Sequence, residues 1–478
     1  MILKNKQTPK RKVSLLVYIC SIILALALGI FGTLIGVTIW QSQQINTANT
    51  PASFQKLTNV YQSIQQNYYR KVSSEKLVNG AIHGMLNSLD DPYSEYLTGN
   101  DAGDLNNTIS GNFEGIGAQV QKSAGRIEII APIAGSPAKK AGLKANDIIM
   151  SINGHSTAGL SVDQAVSKIR GKKGTSVKLV IKRGSDTFTV NLKRDVIPVT
   201  TVNTKYIKAN KIGYIQVTTF SERTSKEFKA AVKKLRKQGA KSFIVDVREN
   251  PGGLMDQALK MSSMFLKNGQ TIMQVKARTG AAKVYKAGKD YDKGFKITEP
   301  TKVLIDDGSA SAAEIFSAAL NQSAKIQLIG SQSFGKGTVQ NVSDFNDNSE
   351  FKITVAKWLT PDGTWINKKG LTPNVKVKYP SYAYLPVVST TKTYQQGDVA
   401  KNIKTMQQAL KGLGYTVDTT NGYFSAVTQQ AVRKFQTAQH LTVSGKLDKA
   451  TMQKIQTELA TKISQNDPVY DKAVDALK

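Results

Sequence analysis

Three short segments carry residue types suited to acyl transfer. In Gly308-Ser-Ala-Ser-Ala-Ala-Glu-Ile315, Ser311 stands among small residues where the pattern passes from strand to helix. Such a turn exposes a nucleophile, and the first amides of the helix can hold an oxyanion. An ordinary serine cap is several times commoner at such a place. In Phe334-Gly-Lys-Gly-Thr-Val-Gln340, Lys336 sits between two glycines and Gln340 follows four residues later. On a strand that spacing is one face, so Gln340 is expected to orient the lysine. With an ordinary pKa of ~10.4, a lysine is neutral in only about 1 in 2,500 molecules at pH 7. Burial that lowers the value by about three units would make it a base. The bland rival is a solvated lysine in a glycine loop; the spacing is not that of a phosphate loop, and no helix follows. The third segment, Asn250-Pro-Gly-Gly253, offers backbone amides free of side chains at a helix start. That suits an oxyanion, or it is a plain tight turn. Gly252, Gly253 and Ala312 are the oxyanion candidates. No histidine lies between 205 and 380, so a Ser-His-Asp triad is excluded there. Together the segments supply nucleophile, base, orienter and oxyanion donors.

The elements that must position them alternate. Strands are expected at 213–220, 243–247 and 303–305. Helices run to Leu235 (capped by Ser221 or Thr224), to Leu266, and from Ser311 to Leu320. This is an α/β core over 205–378. Residues 113–195 read instead as a β-rich module with a helix at 162–169 and an Asn153-Gly154 turn. Residues 54–112 show apolar steps of three and four (Phe54, Leu57, Tyr61, Ile64, Tyr68), which fit equally a helical cap or a dimerisation element giving a homodimer. A proline-containing linker, 379–393, leads to 394–463. There Val399, Ile403, Met406, Leu410 and Leu413 make one apolar stripe, Phe435 anchors a second, and Met452, Ile455, Leu459 and Ile463 make a third.

These residues resemble the C-terminal processing (tail-specific) serine peptidases, whose catalytic group is Ser/Lys/Gln. The likeness spans about 54–380. It rests on Ser311-Ala-Ala-Glu, Lys336 and Gln340, on Asp246-Val-Arg-Glu-Asn-Pro-Gly-Gly253, on Leu89-Asp-Asp-Pro-Tyr-Ser-Glu-Tyr96, and on Thr360-Pro-Asp-Gly-Thr and Gly370-Leu-Thr-Pro-Asn-Val375. Glu249 and Ala313 depart from the family pattern at non-catalytic positions. The resemblance implies a multidomain α+β / α/β protein with a crotonase/Clp-like protease core and catalytic Ser311, Lys336 and Gln340. It implies no cofactor and no metal. Residues 113–195 resemble a PDZ module, β-barrel-like, whose loop Gly115, Ile116, Gly117 and Ala118 would bind the free C-terminus of a protein or peptide substrate. Arg170, at the end of the module's second helix, is expected as a regulatory contact to the protease core, the bland alternative being a surface arginine. Residues 394–463 are similar to a three-helix peptidoglycan-binding domain, through Gly397-Asp-Val399, Gln407-Gln-Ala-Leu410, Gly422-Tyr-Phe424 and Phe435-Gln436; Thr419–Asn421 departs from it. A chain ending near Tyr379 is expected still to cleave soluble peptides at close to the full rate, but to lose retention on cell-wall sacculi.

Residues 1–12 form a basic tail with Lys4, Lys6, Lys10, Arg11 and Lys12, and 13–40 is almost wholly apolar. At ~1.5 Å per residue that run exceeds a bilayer's need. A retained, single-pass transmembrane helix is expected, N-terminus cytoplasmic and catalytic domain extracellular. The formal charge of +31 fits an anionic cell wall better than nucleic acid, for which there is no motif. The one cysteine, Cys20, excludes an intrachain disulfide. Two rivals remain: a non-catalytic PDZ and wall-binding scaffold on an inactive core, and a crotonase-like acyl enzyme.

Overall fold

The computed structural model describes residues 51–478 except 124, 134 and 348. The expected transmembrane run 13–40, the basic tail and Cys20 lie outside the described residues. Among those described, no helix is long and apolar enough to cross a membrane. Residues up to Asp90 form one unit and those from Asp91 a second. The described part of the first is two helices, Ala52–Asn67 and Ser74–Asn87, the latter capped by the Ser73 hydroxyl, which accepts from the Lys76 amide. Phe54, Leu57 and Tyr68 of the expected stripe stay exposed.

In the second unit, a six-stranded sheet carries the α/β core expected over 205–378. Val202–Ile207 is antiparallel to Ile212–Val217. The strands Ile212–Val217, Ser242–Asp246, Thr301–Ile305, Gln327–Gly330 and Val375–Lys376 then run parallel in that order. The inner strands are apolar on both sides because both faces are covered. Val245, Val303 and Ile305 meet the helices Thr224–Lys237, Met255–Phe265 and Ala312–Gln322. Ile212, Ile244, Leu304 and Ile329, one residue out of phase, meet a helix far down the chain, Pro468–Asp475, through Val469 and Ala473. That helix was not foreseen. A second, antiparallel sheet places Glu350–Leu359 between Glu95–Leu97 and Thr271–Ala277 and also pairs it with Thr338–Asp344.

The module after Asn112 has a five-strand path, Ala118–Ser123, Arg126–Pro132, Ile148–Ile152, Ser176–Arg183 and Asp186–Lys193, with helix Val162–Ile169 where the pattern put it. Ser161 and Gln164 cap that helix reciprocally. Ala118–Ser123 lies at the sheet edge.

The C-terminal domain packs helices Lys401–Leu413, Ala426–Ala438 and Lys449–Gln465 around Ile403, Leu410, Phe424, Phe435 and Ile455. Val399, expected in the stripe, is 75% exposed because it sits before the first helix. Two buried glutamines build two similar turns. Gln407 accepts from the Gly422 amide and donates to Tyr423 O and Thr428 Oγ1; Gln436 does the same with Gly445, Lys446 and Thr451. The 379–393 stretch is not a free tether. Val388 is buried, and Tyr382 and Leu385 pack on the domain's core.

Candidate active site

Ser311 caps its helix from the left-handed region, at φ 53° and ψ −113°. That conformation costs a non-glycine residue about 1–3 kcal/mol and is held only where neighbours enforce it. The enforcing neighbour is Glu314, one turn on and fully buried. Its Oε2 accepts from the amides of Ser311 (2.8 Å) and Lys336 (2.9 Å), and its Oε1 from the Gly335 amide (2.7 Å) and the Ser333 hydroxyl (2.5 Å). One carboxylate thus ties the serine turn to the lysine loop. Burial raises the Glu314 pKa, although these four donors oppose the rise.

The carbonyl of Lys336 is also pinned, accepting from the indole of the buried Trp358 at 2.7 Å. Its Nζ lies 4.7 Å from the centroid of the Tyr93 ring. The lysine pKa falls below its ordinary 10.5, first because burial disfavours the ammonium and then because Lys352 repels it; Glu95, Asp91 and Glu314 act the other way. Gln340 differs from expectation. Lys336 precedes the strand, which begins at Thr338, and a register shift falls between Val339 and Gln340, so the same-face spacing does not apply. The Gln340 amide nitrogen donates to Thr338 and Thr354, and it forms no hydrogen bond with Lys336.

Among the oxyanion candidates the structure separates Gly252 from the others. The Gly252 amide donates to Asn250 Oδ1 at 2.9 Å and so is committed, a correction to its expected role. The amides of Gly253 and Ala312 have no protein acceptor among the described residues. The loop is pressed onto the serine turn. A Cβ on Gly252 (φ 102°) would lie 2.8 Å from Ser311 Cβ, and one on Gly253 (φ 130°) would lie 2.2 Å from Phe220 O. Ala310 N donates to Asn250 O, and Ser309 Oγ to Val247 O, fastening the two segments together.

In the β module, Gly115, Ile116, Gly117 and Ala118 line a groove of about 380 Å³ between the edge strand and Val162, Val166 and Ile169 of the helix. The amides of Ile116 and Gly117 are without protein acceptors among the described residues. Arg170, expected to contact the α/β core, instead pairs with a helix outside it. Its guanidinium meets Asp104 (3.3 Å) on the helix Asn100–Ser110 and lies 5.2 Å from the Phe113 ring centroid.

Tyr93, Asp91 and Glu314 lie inside the motifs Leu89–Tyr96 and Ser311–Glu314, yet the sequence assigns none of them a task. A carboxylate three residues after the serine, on an otherwise apolar helix, was the available signal.

A family model for peptidase family S41 matches residues 211–377, one for a PDZ domain 128–183, one for a putative peptidoglycan binding domain 399–455, and one for the activating protease CtpB N-terminal domain 35–100. The carboxy-terminal processing protease CtpA of Bacillus subtilis (strain 168) is 48% identical over 91% of this chain and 92% of its own length. The chain belongs to peptidase family S41. It is a serine-type peptidase of the carboxy-terminal processing group, with PDZ and peptidoglycan-binding domains. A probable CtpA-like serine protease of Staphylococcus epidermidis (strain ATCC 12228 / FDA PCI 1200) is 41% identical over 89% of this S41 peptidase and 86% of the relative. Among solved structures, a photosystem II D1 C-terminal processing protease is 28% identical, covering 70% of this chain and 88% of that one, with a TM-score of 0.40.

Proposed function

We propose that this S41 peptidase is a membrane-anchored, extracytoplasmic endopeptidase that cleaves proteins chosen by their C-termini, with Ser311 as nucleophile and Lys336 as base. The observation that carries the chemistry is the shared Glu314 oxygen, which binds the amides of both residues beside a lysine whose ammonium is disfavoured. Neutral Lys336 takes the Ser311 proton as Oγ attacks the scissile carbonyl. The oxyanion is received by the Gly253 and Ala312 amides. The lysine ammonium then protonates the leaving amine, and a water activated by the same lysine releases the acyl group. Gln340 supports the site from the strand, through Thr338 and Thr354, rather than by holding the lysine.

Selection of substrates by the PDZ groove is supported by its open edge strand and the free amides at Ile116 and Gly117, which suit a terminal carboxylate. Anchoring is supported by the basic tail followed by the apolar run 13–40, and wall contact by the peptidoglycan-binding domain. No part is assigned to nucleic acid. Ser311→Ala and Lys336→Ala should each lower peptide cleavage by roughly a thousandfold or more, with unchanged circular dichroism. Cleavage by purified Ser311→Ala at the wild-type rate would remove Ser311 from the mechanism.

A further inference from the structure

Arg248 lies two residues before Asn250 and is not part of the chemistry just described. Its Nε and Nη2 bind Asp246, its Nη1 and Nη2 bind Asp467 at 2.9 and 2.7 Å, and Nη1 also meets the Tyr379 hydroxyl. The Tyr379 hydroxyl donates to Asp467 at 2.9 Å, and that of Tyr214 to Asp246 at 2.7 Å. The arginine side chain is only 13% exposed and Asp246 is 2% exposed. Asp467 at the same time caps the helix Pro468–Asp475 through the Val469 and Tyr470 amides. The cluster therefore joins the Asn250–Gly253 loop to the two places where the chain enters and leaves the peptidoglycan-binding domain.

We propose that Asp467, through Arg248, is a positioning residue for the Gly253 oxyanion donor, so that the helix beyond the peptidoglycan-binding domain is a working part of the protease. The inference rests on the catalytic reading above. A guanidinium held between two carboxylates in planar, paired geometry has one orientation. Without Asp467 it keeps Asp246 but loses its outer stop. The main chain that carries it is bonded to the serine turn at Val247 O and Asn250 O, so its displacement reaches Gly253 and Ser311 together. A donor that moves away from the developing oxyanion lowers kcat while leaving substrate binding in place.

The full-length chain tests this with Asp467→Asn, in which asparagine keeps the helix cap but gives up the charge. On a soluble peptide kcat should fall at least tenfold with KM within twofold of wild type. Arg248→Lys, which keeps the charge but loses the planar, bidentate pairing with both carboxylates, should do the same. Tyr379→Phe leaves the ion pair and should stay within about twofold. A wild-type kcat in Asp467→Asn overturns the proposal, and so does a loss that follows the unfolded fraction or appears in KM. Full activity in Ser311→Ala, measured alongside, would instead bring down the catalytic reading and this inference with it.

Discussion

A lysine can serve as base only in its neutral form, so the direction of its shift fixes the sign of the pH response. Burial and the neighbouring Lys352 lower the Lys336 pKa below 10.5. Activity should therefore climb with pH, about tenfold per unit while the ammonium predominates, and level off at a pH below 10.5. A kcat/KM profile of the wild type checks this, and a bell or a flat line between pH 6 and that plateau would contradict it. Lys336→Arg should be inactive throughout, since arginine holds its proton. Glu314 makes a different demand. Four donors converge on its carboxylate, and Glu314→Gln would turn an amide NH2 toward some of them. Leaving buried donors unsatisfied costs about 1–3 kcal/mol each. Thermal unfolding of Glu314→Gln should show a loss of about 2–4 kcal/mol, together with a fall in kcat. These residues also show where the sequence stopped being legible. Ser311 and Lys336 announce themselves by their settings, a small-residue turn and a pair of glycines. Tyr93 and Asp91 lie more than two hundred positions away in the chain, and no periodicity links them to Lys336.

At the scale of elements, local rules performed well wherever a helix or strand was decided by its own pattern. The helix Val162–Ile169 and the buried strand around Phe243 were readable because capping residues and unbroken apolar runs are local signals. The antiparallel sheet was missed. Its strand Glu350–Leu359 does alternate polar and apolar residues over Glu350–Val355, but its partners Glu95–Leu97 and Thr271–Ala277 lie far off in the chain, and a strand's own pattern does not name its partner. The Gln340 reading failed for a related reason, since a bulge resets the side-chain period and sequence does not announce it. The groove beside Ala118–Ser123 supports a measurement of its own. Amidating the C-terminus of a good peptide substrate removes the charge that the Ile116 and Gly117 amides suit. KM should rise about tenfold, the worth of roughly 1.4 kcal/mol, with little change in kcat. Equal KM values for amidated and free peptides would assign the groove another task.

At the scale of the whole molecule, the domains are less separable than their sequence boundaries suggest. The expectation that the chain could end near Tyr379 without harm overlooked Pro468–Asp475, which covers Ile212, Ile244, Leu304 and Ile329. Fully burying one large aliphatic side chain is worth about 1.5–3 kcal/mol, so uncovering that face is a substantial loss. A chain truncated at Tyr379 should unfold at lower temperature and lose peptide cleavage. Replacing 394–465 with a short flexible linker, while keeping 466–478, should preserve cleavage but lose retention on cell-wall sacculi. The retention assay needs high salt, because a charge of +31 adheres to any anionic wall and screening shortens to about 3 Å at 1 M.

The meeting of Tyr379 and Asp467 on Arg248 has one further consequence. The peptidoglycan-binding domain leaves and rejoins the protease at a single point, as a pendant hangs from a clasp. A cut made by another protease anywhere within that pendant would not free the helix at its far end, which is kept in place by its own packing and by Arg248. The enzyme would then be a two-chain molecule that still cuts, loosened from the wall but kept at the membrane by its proposed anchor.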